Sequence, residues 1–295
     1  MTEGQTTTPE TWTTRKLLAW MSRSFEQKDL EAPRVLAEML MTKVLGCERI
    51  RLYADADRPA TEDERTRLRD LVARALRHEP VQYLVGEAWF FAMPFHVDPR
   101  VFIPRPCTTL IVEHVLQAAR LTDGDIRFAD ICTGSGAIAV AIAHNFPAAH
   151  GIAIDRSTDA LDVARANAET HGVQDRIDFH VGDLLRPLAE TPPLDFLVSN
   201  PPYIPDFEWD DVPPNVKDHE PVTALRAGAD GLVFVRPLIE SGPAHLRSGG
   251  HLLIEIAAST ADAVLDLAAG NGDLVEPEIL QDFEGLPRVL SARRA

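Results

Sequence analysis

At 295 residues, 45% of them hydrophobic and 25% charged, the chain is long enough for two domains, or for one large domain with an appendage. No apolar run approaches the roughly 18 residues of a membrane span, and residues 1–14 are a polar, Thr-rich stretch of the kind that frays rather than a targeting segment, so a cytoplasmic protein is expected. The net charge of −16 is uneven: residues 1–90 carry 14 Lys and Arg against 15 Asp and Glu, and residues 91–295 carry 15 against 30. So acidic a second part repels nucleic acid at long range and favours a basic protein as partner.

Three scattered cysteines (Cys47, Cys107, Cys132) and histidines without metal spacing predict a reduced, metal-free protein. Along the chain, apolar residues first recur every three or four positions: Leu17, Leu18, Trp20 and Met21, then Val35, Leu36, Met39, Leu40, Val44 and Leu45, then Leu68, Leu71, Val72 and Leu76. That spacing predicts three amphipathic helices whose stripes form a core, the third opened by a capping box of Thr61 and Glu64. Residues 83–104 are aromatic and β-branched around a turn near Ala92-Met93-Pro94, which predicts a β-hairpin that links two domains or simply packs. A helix is expected over 108–119. Strands and helices then alternate: strand 126–131, helix 136–144, strand 151–155, helix 157–170 capped by Ser157, strands 177–181 and 194–198. A helix over 232–246, a strand over 250–256, a helix over 261–269 and strands over 274–280 and 288–292 complete the series. The expected fold is α/β: a doubly wound, Rossmann-like sheet over 105–295, preceded by a helical domain (1–82) and a hairpin linker (83–104).

The strand over 194–198 runs into Ser199 and then Asn200-Pro201-Pro202-Tyr203, where two prolines forbid both further pairing and an immediate helix. Open α/β sheets bind ligands at the C-terminal ends of their strands. An amide, rigid carbonyls and an aromatic ring thus stand on an active-site lip, with a bare Pro-Pro surface turn as the plain alternative. Asp130-Ile131-Cys132-Thr133-Gly134-Ser135-Gly136 joins the sheet's first strand to its helix. Glycines there let a ligand approach the backbone, and the helix start offers unpaired N–H groups. Cys132 occupies the place of the first glycine of a dinucleotide fingerprint, and the third glycine is missing. Asp155, at the end of the next strand, suits the two hydroxyls of a ribose or a helix cap, and Asp183, after Val181-Gly182, can accept from an adenine amino group. Three strand ends frame an adenosine-sized crevice, and a loop without support for a pyrophosphate favours S-adenosylmethionine over NAD.

With these motifs in this order, the chain resembles the class I S-adenosylmethionine-dependent methyltransferases that act on planar nitrogens. More narrowly it resembles the HemK-type protein N5-glutamine methyltransferases, the release factor glutamine methyltransferase family. The resemblance runs from about Leu17 to Arg293. It includes Glu79-Pro80-Val81-Gln82-Tyr83-Leu84-Val85-Gly86, Phe102-Ile103-Pro104-Arg105-Pro106, Glu220-Pro221-Val222-Thr223-Ala224-Leu225 and Gly228-Ala229-Asp230-Gly231-Leu232. It implies methyl transfer from S-adenosylmethionine to the side-chain nitrogen of a glutamine in a translation protein, the Gly-Gly-Gln motif of a peptide chain release factor. A monomer is expected, with the helical domain recognising the substrate. The resemblance also implies that the Asn200 side-chain oxygen and the Pro201 carbonyl accept the amide hydrogens, with Pro202 restraining the backbone and Tyr203 packing against the amide. Phe102, Arg105 and Thr108 would close over the cofactor, and Asp130, Thr133, Gly134, Gly136, Asp155, Asp183, Leu184 and Asn200 would surround it.

The chain departs from the family in places. The usual Pro-Glu-Thr-Glu is here Pro106-Cys107-Thr108-Thr109, and Glu255-Ile256-Ala257 lacks the glycine and glutamine that usually follow that strand. Cys132 and Glu87-Ala88-Trp89-Phe90 lean toward sister enzymes that methylate a glutamine of a large-subunit ribosomal protein. Gly285-Leu286-Pro287-Arg288-Val289-Leu290 and the N-terminal helices lean back toward release factors. Two readings of other classes stay open: an adenine-N6 nucleic-acid methyltransferase, which shares the lip, and a binding protein that keeps the fold without turnover.

Overall fold

The computed structural model describes residues 11–121 and 124–295. The expected frayed tail lies mostly outside the described residues, but its last two positions do not fray: the Thr13 hydroxyl accepts the Lys16 N–H and caps a helix that starts at Thr14. The chain divides after Gly86 into two compact units.

Among its described residues the first unit has five helices rather than three: α1 (Thr14–Glu26), α2 (Pro33–Leu45), α3 (Arg49–Ala54), α4 (Glu62–Ala75) and α5 (Val81–Val85). The two additional ones span six and five residues, too short for an apolar period to declare itself. Leu17, Leu18, Met21 and Phe25 pack with Leu40, Met41, Val44, Leu68 and Val72, while Trp20 and Val35 of the expected stripes face solvent. Thr61 and Glu64 form their capping box at the start of α4, with Thr61 N–H to Glu64 Oε2 at 2.8 Å and Glu64 N–H to Thr61 Oγ1 at 3.2 Å.

The second unit opens with the hairpin β1 (Glu87–Phe90) and β2 (Met93–His96), so the first residues expected to be hairpin are instead α5. The turn lies at Phe91-Ala92, both left-handed (φ 49° and 58°), a geometry whose twist matches that of the strands. Phe90 and Phe95 sink into the same core as the sheet that follows. Then come α6 (Thr109–Ala119), β3 (Ile126–Ile131), α7 (Ala137–Asn145), β4 (Ala149–Asp155), α8 (Thr158–Thr170), β5 (Ile177–Val181) and β6 (Leu194–Ser199). The chain ends with α9 (Pro214–Lys217), α10 (Val235–Ser241), β7 (Leu246–Glu255), α11 (Ala261–Ala269), β8 (Leu274–Gln281) and β9 (Pro287–Arg294).

The helix expected over 232–246 is cut short to α10. Pro243 has no N–H for the Ile239 carbonyl, and Asn271 Nδ2 takes that carbonyl instead at 2.8 Å.

The seven-stranded sheet runs β5-β4-β3-β6-β7-β9-β8; the first five are parallel, and β9 enters antiparallel between β7 and β8. Apolar residues on its two faces build two cores, one with α6 and α7 and the other with α10 and α11. This is the doubly wound sheet expected, with strand order reversing between β3 and β6.

On one face His251 of β7 stacks on Phe196 of β6 and meets His114 of α6, the two imidazoles 3.4 Å apart. Burial, then His114, Arg293 and Arg247, push the His251 pKa down from 6.5 to about 4, and burial lowers that of His114. The unfolded chain therefore takes up the proton first. Stability from His251 is complete above about pH 6.5 and is lost as the pH falls toward about 4. Urea unfolding at about pH 7.5 and about pH 5 should show a larger loss in the wild type than in His251→Gln. Equal losses would contradict a neutral, half-buried imidazole pair.

Candidate active site

The parallel strands end level. Ile131 of β3 pairs with Ile154 of β4 and with Ser199 of β6, and Asp155 pairs with Val181 of β5. The Ser199 hydroxyl donates to the Ile131 carbonyl at 2.7 Å, fastening β6 to β3 where the strand order reverses. The loops that leave this edge enclose a cavity of about 310 Å³.

Most of the predicted site residues line it. Thr133 and Gly134 come from the loop after β3, Asp155 from the end of β4, and Asp183 and Leu184 from the loop after β5. Asn200, Pro202 and Tyr203 form the lip after β6, and Phe102, Arg105 and Thr108 face it from the segment before α6. Asp130, Gly136 and Pro201 are not on the lining. Asp130 is fully buried behind the glycine loop, where its Oδ2 accepts the Thr133 hydroxyl at 2.6 Å and the Ala139 N–H at 3.2 Å, and burial pushes its pKa up to about 7. Gly136 serves packing: its φ is 78°, and a Cβ there would stand 3.0 Å from that of Ala164 in α8. Cys132, in the place of the first glycine of a dinucleotide fingerprint, takes a left-handed φ of 60°, a conformation that costs a side chain about 1–2 kcal/mol. Burial pushes its thiol pKa up.

Asp155 spans two loops. One oxygen accepts the Gly134 N–H and the other the Ser157 N–H, each at 2.9 Å, and burial raises its pKa against those bonds. Each oxygen keeps a further lone pair for a hydroxyl. The cavity's own residues suit S-adenosylmethionine. Gly134, with φ 55°, leaves open space where a Cβ would be, so its backbone is free to meet a ligand. Asp155 and Asp183 offer acceptors for ribose and adenine, and Phe102, Ile138, Leu184 and Phe234 offer apolar wall. The residues present fit that group.

Three polar residues that sequence reasoning did not assign hold the walls in place. Glu220 is buried; it pairs with Arg105, its Oε2 accepts the Ile103 N–H at 3.1 Å, and the Arg105 guanidinium lies 4.6 Å from the centre of the Phe102 ring. Its presence in the motif Glu220-Pro221 was the available signal. Asn167 of α8 donates through Nδ2 to His96 O and Ser135 O, at 3.0 and 2.9 Å, and accepts the His96 N–H at 2.7 Å, tying hairpin to glycine loop. Glu255 ends β7 beneath the lip, and its Oε1 accepts the Tyr203 hydroxyl at 3.2 Å. An acid closing an apolar strand, as Asp155 does, was its signal. The lip is also braced behind: Ile204 N–H donates to Leu225 O and Ala227 N–H to Ile204 O, both at 2.9 Å.

At Asn200 itself, Nδ2 donates to Thr108 Oγ1 at 3.2 Å. The amide is thereby oriented, and its Oδ1 is left to accept. Among the described residues no group of three or more His, Cys, Asp or Glu is placed to hold a metal ion, and no helix is long and apolar enough to cross a membrane. Replacing Asp155 with Ala should weaken S-adenosylmethionine binding by about 1–3 kcal/mol, the scale of hydrogen bonds to a charged group. Calorimetry showing unchanged affinity would remove Asp155 from the cofactor site.

The chain is similar in sequence and fold to known proteins. The family model described as PrmC N-terminal domain matches residues 16–86, and that of the Methyltransferase small domain matches residues 98–211. The release factor glutamine methyltransferase of Chlorobaculum tepidum is 40% identical over 287 residues, covering 95% of this chain and 97% of its own. That of Rhodopirellula baltica is 38% identical over 298 residues and covers 100% of both chains. A solved methyltransferase structure from Pyrococcus furiosus shares the fold, with a TM-score of 0.50 and 16% identity over 75% of this chain and 96% of its own. By length, motifs and identity, the chain belongs to the release factor glutamine methyltransferase family.

Proposed function

We propose that this chain, working as a cytoplasmic monomer, transfers a methyl group from S-adenosylmethionine to the side-chain nitrogen of the glutamine in the Gly-Gly-Gln motif of a peptide chain release factor. The observation that carries this reading is the state of Asn200, which lines the cavity: its Nδ2 is committed to Thr108, so its Oδ1 is left as the acceptor.

A carboxamide nitrogen delocalises its lone pair into its carbonyl and carries two N–H groups, so a site that uses it must offer acceptors rather than donors. Asn200 Oδ1, on the cavity lining, takes one of those two hydrogens; Pro201, buried and off the lining, serves to stiffen the turn behind it. Pro202, lacking an N–H, adds no competing donor and stiffens the lip. Tyr203, half-buried on the lip with its phenol pKa pushed well up by desolvation and then by Glu255, stays a neutral wall for the amide plane. S-adenosylmethionine supplies a methyl group on a positively charged sulfur, already activated for displacement. The chain's own contribution is to hold the amide in line and exclude water, which is catalysis by position and desolvation. Asp155 and Asp183 anchor the ribose and adenine, Thr133 and Gly134 shape the loop beneath them, and the Arg105–Phe102 stack covers the opening. The helical unit, residues 11–86, recognises the release factor, and the acidic second part suits a basic partner surface.

Asn200→Ala should lower turnover by roughly a hundredfold or more, on the scale of a lost preorganised polar contact, while cofactor affinity stays within about twofold. A large loss of cofactor binding would contradict the role given to Asn200. With labelled S-adenosylmethionine, a purified release factor should take up label and its Gly-Gly-Gln variant with Gln→Ala should not. Label that survives that change, or that enters duplex DNA or a ribosomal protein instead, would overturn the substrate.

A further inference from the structure

Glu255 is the last residue of β7, opposite Val289 of β9, and has no exposed surface. Burying a carboxyl is costly, and burial does push its pKa up, against the pull of Thr108, Tyr203, Arg288 and Cys107. Oε1 accepts the Tyr203 hydroxyl at 3.2 Å and faces the Cys107 sulfur at 3.8 Å. Oε2 is buried without a full hydrogen bond, and the Thr108 hydroxyl lies beside the same carboxyl.

The direction of donation follows. Thr108 Oγ1 accepts from Asn200 Nδ2, so its own proton needs another acceptor, and the unpaired oxygen of Glu255 lacks a donor. We propose that Glu255 is a positioning residue: as an acceptor for Thr108 and Tyr203 it fixes the order Asn200 amide to Thr108 hydroxyl to Glu255 carboxyl, which keeps Asn200 Oδ1 facing the substrate amide. This rests on the reading that Asn200 accepts from the substrate nitrogen. If residue 255 could donate instead, the Thr108 hydroxyl would be free to turn toward Asn200. The Asn200 amide could then flip and present N–H groups to a nitrogen that itself needs acceptors. Both ends of the lip hang on this carboxyl, Tyr203 directly and Asn200 through Thr108. The network also accounts for Cys107: a thiol lies against Glu255 where the family usually carries a second acid, so the chain avoids two carboxyls at one buried point.

Glu255→Gln tests this, because the side chain keeps its shape and gains a donor. In the ¹⁵N-labelled protein, the Asn200 side-chain amide signals, identified by their loss in Asn200→Ala, should shift in Glu255→Gln and in Thr108→Val, and far less in Thr108→Ser. With a release factor as substrate, kcat of Glu255→Gln should fall about tenfold or more, with KM and cofactor Kd within about twofold. The melting temperature should hold or rise, since neutralising a buried carboxyl removes a desolvation cost. Unmoved Asn200 signals would overturn the proposal, as would kcat near wild type, or a joint fall of kcat, cofactor affinity and melting temperature. Should Glu255→Gln not fold, the same signals and kcat in Thr108→Val against Thr108→Ser decide it. Wild-type enzyme that transfers no methyl to release factors would refute the substrate instead, and the amide signals would still decide the role of Glu255.

Discussion

The common edge at which the parallel strands stop is the constraint on which the site depends. In-register pairing of β3 with β4 and β6 brings Ile131, Ile154 and Ser199 level, so the glycine loop, Asp155 and the Asn200 lip leave the sheet at one height although they lie far apart in the chain. Parallel strands need long crossovers, and those crossovers are helices whose apolar faces fill the two cores. The price of that edge is a set of polar groups deprived of water. Asp130, Asp155 and Glu255 all stand at or beside it, and burial raises the pKa of each.

Those buried carboxyls act mostly on the protein itself. Asp155 holds the two loops on either side of it, Asp130 holds the glycine loop from behind, and Glu220 ties Arg105 and the backbone at Ile103 across more than a hundred residues of chain. A site built in this way is set before its ligands arrive, and reaction by positioning requires that state. The lip follows the same logic. Two prolines remove donors and freedom, Thr108 turns the Asn200 amide, and the segment around Leu225 braces the backbone behind Tyr203.

Much of this was legible in the sequence because it is local. The strands over 126–131 and 177–181 and the helix over 261–269 stand where apolar period and turn chemistry put them, and the Ser157 and Thr61 caps are in place. Eleven of the fourteen predicted site residues line one cavity. What escaped depends on tertiary contact or on very short elements. The turn at Phe91-Ala92 carries none of the Asn or Gly that usually marks its type, and α3 and α5 are too brief to show a period. Pro243 ended a helix that its apolar pattern alone would have continued. Asn167, Glu220 and Glu255 gain their roles only through partners 32 to 148 positions away, and no spacing rule reaches that far.

Membership of the family and full-length similarity converge on one substrate class, and the acceptor role proposed for the lip agrees with it. The departures at Cys107 and Cys132 are absorbed by the structure, the first as a neutral neighbour of Glu255 and the second in a left-handed turn that a glycine would take at lower cost. The most direct measurement of the central claim is mass spectrometry of release factors from a strain of the source organism lacking this gene. The account predicts that the glutamine of the Gly-Gly-Gln motif loses its methyl group there and regains it on complementation. A glutamine that stays methylated in the deletion strain, or a loss confined to ribosomal proteins, would contradict it.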